Sequence, residues 1–240
     1  MRFRSGILIF SAVLGLSACG IDEYPYLEAV DSSYVVNDLE TSDTLKITFK
    51  LESQVTDYLR GYKVLYRIYA SDDVTDQGKE KLKAKISADR SIVDTYNTKN
   101  QSSLLFSELT GSKLRYRLLS NSNDPDQFDQ TFGAITTITF DFNSQVLEDG
   151  RPKVTIGGPV HDLVRSNGEY FITEDMTEAE VTETAEPTHG DIEMVTTSGE
   201  TFNETRSNIS VLMYIIAYGR DASLAEFYSN ATLIGKVEIR

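Results

Sequence analysis

The sequence predicts an all-β protein built as a two-sheet sandwich, on three observations. Several short segments alternate apolar and polar residues with a period of two. The aromatic content rests on 13 Tyr and 11 Phe, side chains that favour strands. Segments with helical periodicity are scarce.

Residues 44–52, TLKITFKLE, set Leu45, Ile47, Phe49 and Leu51 against Lys46, Thr48 and Lys50, the pattern of a half-buried strand. In GYKVLYRIYAS at 61–71, Tyr62, Val64, Tyr66 and Ile68 oppose Lys63, Leu65, Arg67 and Tyr69. The second face is partly apolar as well, which places this strand centrally in a sheet. KLRYRLL at 113–119 alternates Leu114, Tyr116 and Leu118 against Lys113, Arg115 and Arg117, and ITTITFDF at 135–142 puts Ile138, Phe140 and Phe142 on one face. SVLMYIIAY at 210–218 is apolar throughout and reads as a strand covered on both sides, with a buried helix as the alternative. LIGKVEI at 233–239 supplies a last strand.

Helices are expected to be one or two at most, and short. QGKEKLKAKISADRSIV at 77–93 places Leu82 and Ile86 four apart, yet Leu82, Ala84 and Ile86 also alternate with lysines, so helix and strand both fit. TEAEVTETAEP at 177–187 has capping-box spacing, Thr177 with Glu180, and Pro187 as a stop. Many strands with polar turns and few helices give a β-sandwich of immunoglobulin or fibronectin-III type with long insertions at 72–103 and 174–207. The antibody-type domain itself is excluded, because the chain has no Trp and a single Cys. One elaborated domain over 25–240 is expected; two domains dividing near 121–133, NSNDPDQFDQTFG, are the alternative.

The beginning of the chain carries the sharpest signal. Arg2 and Arg4 precede an apolar run over residues 6–16, and Ser17 and Ala18 then lead to Cys19. This is the layout of a signal peptide, and its run is too short for a permanent membrane span. Leu16-Ser17-Ala18-Cys19 resembles the bacterial lipobox. That resemblance implies removal of residues 1–18, diacylglycerol on the Cys19 sulfur and an N-acyl, palmitate-type chain on its amine. Residues 19–24 then form a short tether. Acyl burial is worth about 0.8 kcal/mol per methylene, and stable anchoring takes more than one chain.

Together with the lipobox, GYKVLYRIYAS and the closing VLMYIIAYGRDASLAEFYSNATLIGKVEI look like lipoproteins of spirochaete-type bacteria that carry immunoglobulin-like sandwiches. The resemblance implies an envelope location and no catalytic residues to carry over.

Loss of residues 1–18 removes two arginines and no acid, so the formal charge goes from −14 to −16. So acidic a chain is not a nucleic-acid binder, since phosphate contact needs clustered Lys and Arg. Anionic headgroups repel it, leaving the lipid as its attachment to the membrane.

Chemistry is poorly supplied. Cys19 is committed to lipid, there is no Gly-x-Ser-x-Gly elbow, and His161 and His189 are the only imidazoles available as a general base. His161 and Asp162 in GGPVHD are adjacent, so on a strand they face opposite ways. The glycines and proline before them read as a turn. Two His and no free Cys do not make a zinc site. Asn121, Asn123, Asp124, Asp126 and Asp129 gather hard oxygen donors suited to calcium. The EF-hand spacing and glycine are missing, however, so a polar turn around Asp124-Pro125 is the first reading.

Residues 166–205 hold 11 acids and no Lys or Arg, the composition of a solvated segment or of a dock for a basic partner. Lys79, Lys81, Lys83 and Lys85 form a basic comb, read either as a solvated face or as a contact for an anionic glycan or headgroup. The functional expectation is a lipid-anchored envelope protein, in the outer membrane, whose sandwich is a non-enzymatic interaction or structural module. Its partner would be an envelope protein or glycan, met through loops 72–79, 121–133 or 174–207. The alternative is a glycan hydrolase using an unidentified carboxylate pair.

Overall fold

The computed structural model describes residues 26–36, 44–50, 58–71, 75–99, 101–121, 135–142, 152–165, 192–195 and 208–239. After a 3₁₀ turn at Ser32–Tyr34 come strands β1 (Val35–Val36), β2 (Thr44–Lys50) and β3 (Leu59–Ser71), then helices α1 (Asp76–Thr98) and α2 (Ser102–Thr110). Strands β4 (Arg117–Leu118), β5 (Ser120–Asn121), β6 (Ile135–Asp141), β7 (Lys153–Ile156) and β8 (Val160–Val164) follow. Last come β9 (Ile192–Val195), β10 (Asn208–Arg220), β11 (Glu226–Tyr228) and β12 (Thr232–Ile239).

The fold is organised by β3 and β10, each 13 residues long and paired antiparallel from Asn208↔Ser71 to Gly219↔Leu59. Alternation along this pair sorts side chains onto two faces. Val64, Tyr66 and Ile68 lie with Ile215, Met213 and Val211 on one face; Leu65, Arg67 and Tyr69 lie with Tyr214, Leu212 and Ser210 on the other. Both faces are buried, which is why 210–218 is apolar at nearly every position.

The outer edge of β10 is shared by β12 and β11, and the outer edge of β3 by β4 and β9. Strand β9 joins β3 in parallel; the other pairings are antiparallel. The second sheet runs β1-β2-β6-β7-β8-β5. Its Ile138, Phe140, Val154, Ile156 and Leu163 meet Val64, Tyr66, Ile68, Val211, Met213 and Ile215 in one inter-sheet core that extends from Leu27 to Val237 in sequence. The all-β sandwich expected from the strand pattern is therefore present. The segments predicted as strands at 44–52, 61–71, 135–142, 210–218 and 233–239 form β2, β3, β6, β10 and β12, with 51–52 outside the described residues and β6 ending at Asp141.

Hairpin β7–β8 turns on Gly157 and Gly158, whose φ of 61° and 136° are backbone states that glycine reaches without steric cost, with the Ile156 amide donating to the Pro159 carbonyl at 3.0 Å. The turn reading of GGP is thus met.

Two expectations are corrected. The segment at 77–93 is neither a strand nor a short helix: α1 runs 23 residues. Its buried residues Gly78, Leu82, Ile86, Asp89 and Val93 recur every three or four positions, while Ala84, on which the strand reading depended, is exposed. Helix-forming Lys, Glu and Ala fill the rest, and the stripe carried on to Val93 decides for period 3.6 over period 2.

The alternation at 113–119 is not one strand either. Arg115 takes φ 53°, its amide donating to the Gly111 carbonyl at 2.9 Å, and the Tyr116 amide donates to the Leu109 carbonyl at 2.7 Å. The chain thus wraps the end of α2, burying Leu114 and Tyr116 while Leu118 stays exposed. The TEAEVTETAEP segment lies outside the described residues.

Helices α1 and α2 form a third layer. Leu82, Ile86, Val93, Leu105 and Leu109 pack on Leu65, Tyr69, Leu212, Tyr214 and Ile216. Asn97, near the end of α1, clips this layer to the loop before β12: its side chain donates to the Ala231 carbonyl at 2.9 Å and accepts from the Ala231 amide at 3.0 Å.

Ile216 is fully buried under the helices. Ile216→Ala is expected to lower unfolding free energy by about 2–5 kcal/mol, read as a lower urea midpoint with unchanged slope.

Candidate functional site

Within the apolar helix-to-sheet layer lies one charged constellation. Arg67, 2% exposed, projects from β3 toward α1 and reaches Asp89, whose side chain is 4% exposed, at 3.2 Å. Its other terminal nitrogen bonds Glu193 on β9. Lys85, one turn before Asp89, contacts that carboxylate at 2.9 Å and Glu193 at 3.3 Å. Two cations and two anions thus close a ring that ties β3, α1 and β9 together. Arg67 also stands 5.3 Å from the ring centre of Tyr69.

The network continues into phenols. The Tyr69 hydroxyl lies 3.0 Å from Asp89 and 3.1 Å from the Tyr116 hydroxyl, and Tyr116 meets the Tyr214 ring edge-on at 5.5 Å. Burial pushes the pKa of all three tyrosines upward; for Tyr69 the adjacent Asp89 carboxylate adds to that shift. The Tyr69 and Tyr116 hydroxyls form a hydrogen-bonded chain that ends on Asp89. Asp89 and Glu193 each contact both Arg67 and Lys85, so this carboxylate pair is engaged by cations within the chain.

A second cluster sits where β3 begins and β10 ends. Lys63 lies 4.6 Å from the Tyr218 ring centre, 5.6 Å from Phe106 and 5.7 Å from Tyr228, and 3.4 Å from Glu226. Phe106 and Tyr228 stack at 4.0 Å. This aromatic box with its carboxylate is filled by the chain's own lysine. A hydrogen bond from Tyr228, with Arg220 and Lys63 beside it, holds the Glu226 carboxyl below the usual carboxylate range.

The same end carries exposed apolar groups. Leu27, the Tyr58 carbonyl and Phe227 converge on Gly219, where a Cβ would lie within 3.2 Å of Leu27, 2.6 Å of Tyr58 and 2.8 Å of Phe227. Only glycine fits that crossing. Beyond it the β10–β11 turn is fixed by Asp221, whose carboxylate accepts from the amides of Ser223 at 2.8 Å and Ala225 at 2.9 Å and from the Ser223 hydroxyl at 2.6 Å. These bonds lower its pKa. They hold Leu224 at φ 66° with 74% of its surface exposed.

Cys19, Asn123, Asp124, Asp126, Asp129 and His189 lie outside the described residues. Asn121 ends β5, opposite Leu163 on β8. His161 and Asp162 are neighbours on β8, and Asp162 pairs with Lys153 of β7. Among the described residues no three His, Cys, Asp or Glu side chains converge as a metal site would require. No helix among them is long and apolar enough to cross a membrane.

The lysine comb is split by the helix: Lys79 and Lys83 face solvent, Lys83 pairing with Glu80 at 3.0 Å, while Lys85 turns into the buried ring. It does not form one basic face. Of the three loops proposed for recognition, residues 76–79 open α1 and 192–195 form β9. Arg67, Asp89 and Glu193 were not singled out in the sequence, although Asp89 occupies an apolar-stripe position in α1 and Arg67 sits between Leu65 and Tyr69. No protein-family model, curated protein or solved structure matches the chain.

Removing one member of a buried ion pair leaves its partner uncompensated, at a cost of about 3–5 kcal/mol, whereas apolar replacement of both is nearly neutral. Asp89→Ala is expected to destabilise by that amount in urea titrations, and Arg67→Met with Asp89→Leu to recover most of it, leaving Lys85 and Glu193 paired. Because folding lowers the Glu226 pKa below its ordinary 4.5, its contribution to stability is complete above that value and is lost as pH falls through the folded one. Glu226→Gln should therefore be less stable than wild type near pH 7, with the gap closing as the pH is taken down from 4.5 through the lowered folded-state value when unfolding is followed across pH.

Proposed function

We propose that this chain is a lipid-anchored envelope protein whose β-sandwich is a non-enzymatic interaction or structural module. The observation that carries the reading is the run at 2–19, where basic residues, an apolar stretch and Leu-Ser-Ala-Cys coincide. Residues 1–18 are then the removed signal, Cys19 the acylated residue, 19–24 the tether and 25–240 one domain. The single inter-sheet core running from Leu27 to Val237 supports the last point. Two facing sheets of largely antiparallel strands support a fold of immunoglobulin or fibronectin-III type.

The non-enzymatic reading draws on the charged ring, whose acids are neutralised by Arg67 and Lys85. The spirochaete-type likeness supports an envelope location, which this reading places in the outer membrane, and the partner is an envelope protein or glycan. Calcium at Asn121, Asn123, Asp124, Asp126 and Asp129 forms no part of this reading.

Fractionation of cells expressing wild type and Cys19→Ala tests the anchor. Wild type is expected with membranes and the variant in the soluble fraction; equal retention of both sinks the reading. Protease added to intact and to permeabilised cells then separates an outward-facing module from one with an internal partner.

A further inference from the structure

We infer that the sandwich end formed by Tyr26, Tyr58 and the turn at 221–225 seats against the lipid bilayer, with Leu224 inserted at the headgroup–acyl boundary. This rests on the anchor reading and adds to it an orientation and a contact surface. Three observations carry it.

First, Leu224 is held outward by construction. A γ-branched residue at φ 66° is sterically disfavoured and persists where its surroundings fix it. Here the Asp221 side chain takes the Ser223 and Ala225 amides, the Leu224 amide donates to the Asp221 carbonyl at 3.0 Å, and the Asp221 amide donates to the Ala225 carbonyl at 3.1 Å. Little conformational freedom is left to lose when the leucine is buried.

Second, the same end exposes tyrosines. Tyr58 is 41% exposed and its carbonyl, which lies against Gly219, accepts from the Arg220 amide at 3.1 Å; Tyr26, 67% exposed, directly precedes Leu27, whose side chain also lies against Gly219. Tyrosine prefers the boundary between headgroups and acyl chains. Beside them Arg220 pairs with Glu226 at 3.0 Å, and the Asp221 carboxylate is taken up by the amides and hydroxyl of its own turn.

Third, chain length leaves little choice of end. Tyr26 is the seventh residue after Cys19, so at ~3.5 Å per residue it lies within about 25 Å of the anchor. The 13-residue strand β3 is about 40 Å long at ~3.3 Å per residue. Its Leu59 end, paired with Gly219, is therefore the membrane-proximal one.

The test uses the acylated full-length product purified from the membranes of the producing cells, carrying Leu224→Trp. The natural chain has no Trp, so this residue is the only such reporter. The protein is reconstituted in phosphatidylcholine vesicles with and without chain-brominated lipid, and mass spectrometry of the Cys19 peptide reports acylation separately. The expected result is blue-shifted emission quenched by bromine. Tyr26→Trp should behave likewise, and Lys79→Trp, at the solvent-facing start of α1 beyond the Ser71 end, should stay red-shifted and unquenched. Acylated Cys19 with Leu224→Trp as unquenched as Lys79→Trp overturns the inference and leaves the anchor standing. An unmodified Cys19 overturns the anchor reading and the orientation with it.

Discussion

Nearly every other element leans on the antiparallel pairing of β3 with β10. The pair is buried on both faces, so its register is fixed twice over: a slip of one residue would carry Arg67 into the inter-sheet core and expel Tyr66 and Ile68 from it. The six-stranded sheet packs on one face and the helices on the other. Strands β12, β11, β4 and β9 occupy the two free edges. A sheet covered in this way cannot show a clean polar face. That accounts for the near-continuous apolar run of β10.

Against this background the charged ring is a device of position more than of stability. Buried ion pairs contribute little beyond what apolar side chains of equal volume would. They do discriminate between arrangements. Glu193 lies opposite Tyr69 in the β9–β3 register and from there reaches Arg67. Displacing β9 along β3 by two residues toward Ser71 would draw that carboxylate away from Arg67 and leave the guanidinium half-compensated in an apolar layer. The ring thereby couples the correct seating of a short parallel edge strand to the seating of α1.

The two ends of the sandwich differ in kind. At the Ser71 end the chain passes into a long amphipathic helix with solvated lysines, Lys79 and Lys83. At the Leu59 end, Leu27, Phe227 and the Tyr58 carbonyl close on a glycine crossing too tight for any side chain, and the turn beyond it presents Leu224 to solvent. In the proposed reading this asymmetry gives the body an up and a down relative to the bilayer.

The strands were legible because period-two alternation states directly which side chains are buried, and Leu-Ser-Ala-Cys is a local chemical signal that needs no fold to be read. The sequence by itself determined the β-sandwich class, the doubly covered strand at 210–218, the glycine turn before His161 and the expectation of acylation at Cys19. Helix α1 was half-legible: Leu82 and Ile86 satisfy both periods over five residues, and the choice falls to 3.6 only when the stripe is followed through Asp89 to Val93, which packs with them against β3 and β10. The wrap of 113–119 around α2 was hidden for the same reason, since Arg115 leaves the extended region to follow a helix end that local pattern does not reveal. Tertiary structure alone decided the ring of Arg67, Asp89, Glu193 and Lys85 and the cluster at Gly219. Their members come from segments up to 126 residues apart in the ring, the separation of Arg67 from Glu193, and periodicity carries no information about which distant residues the register will bring together.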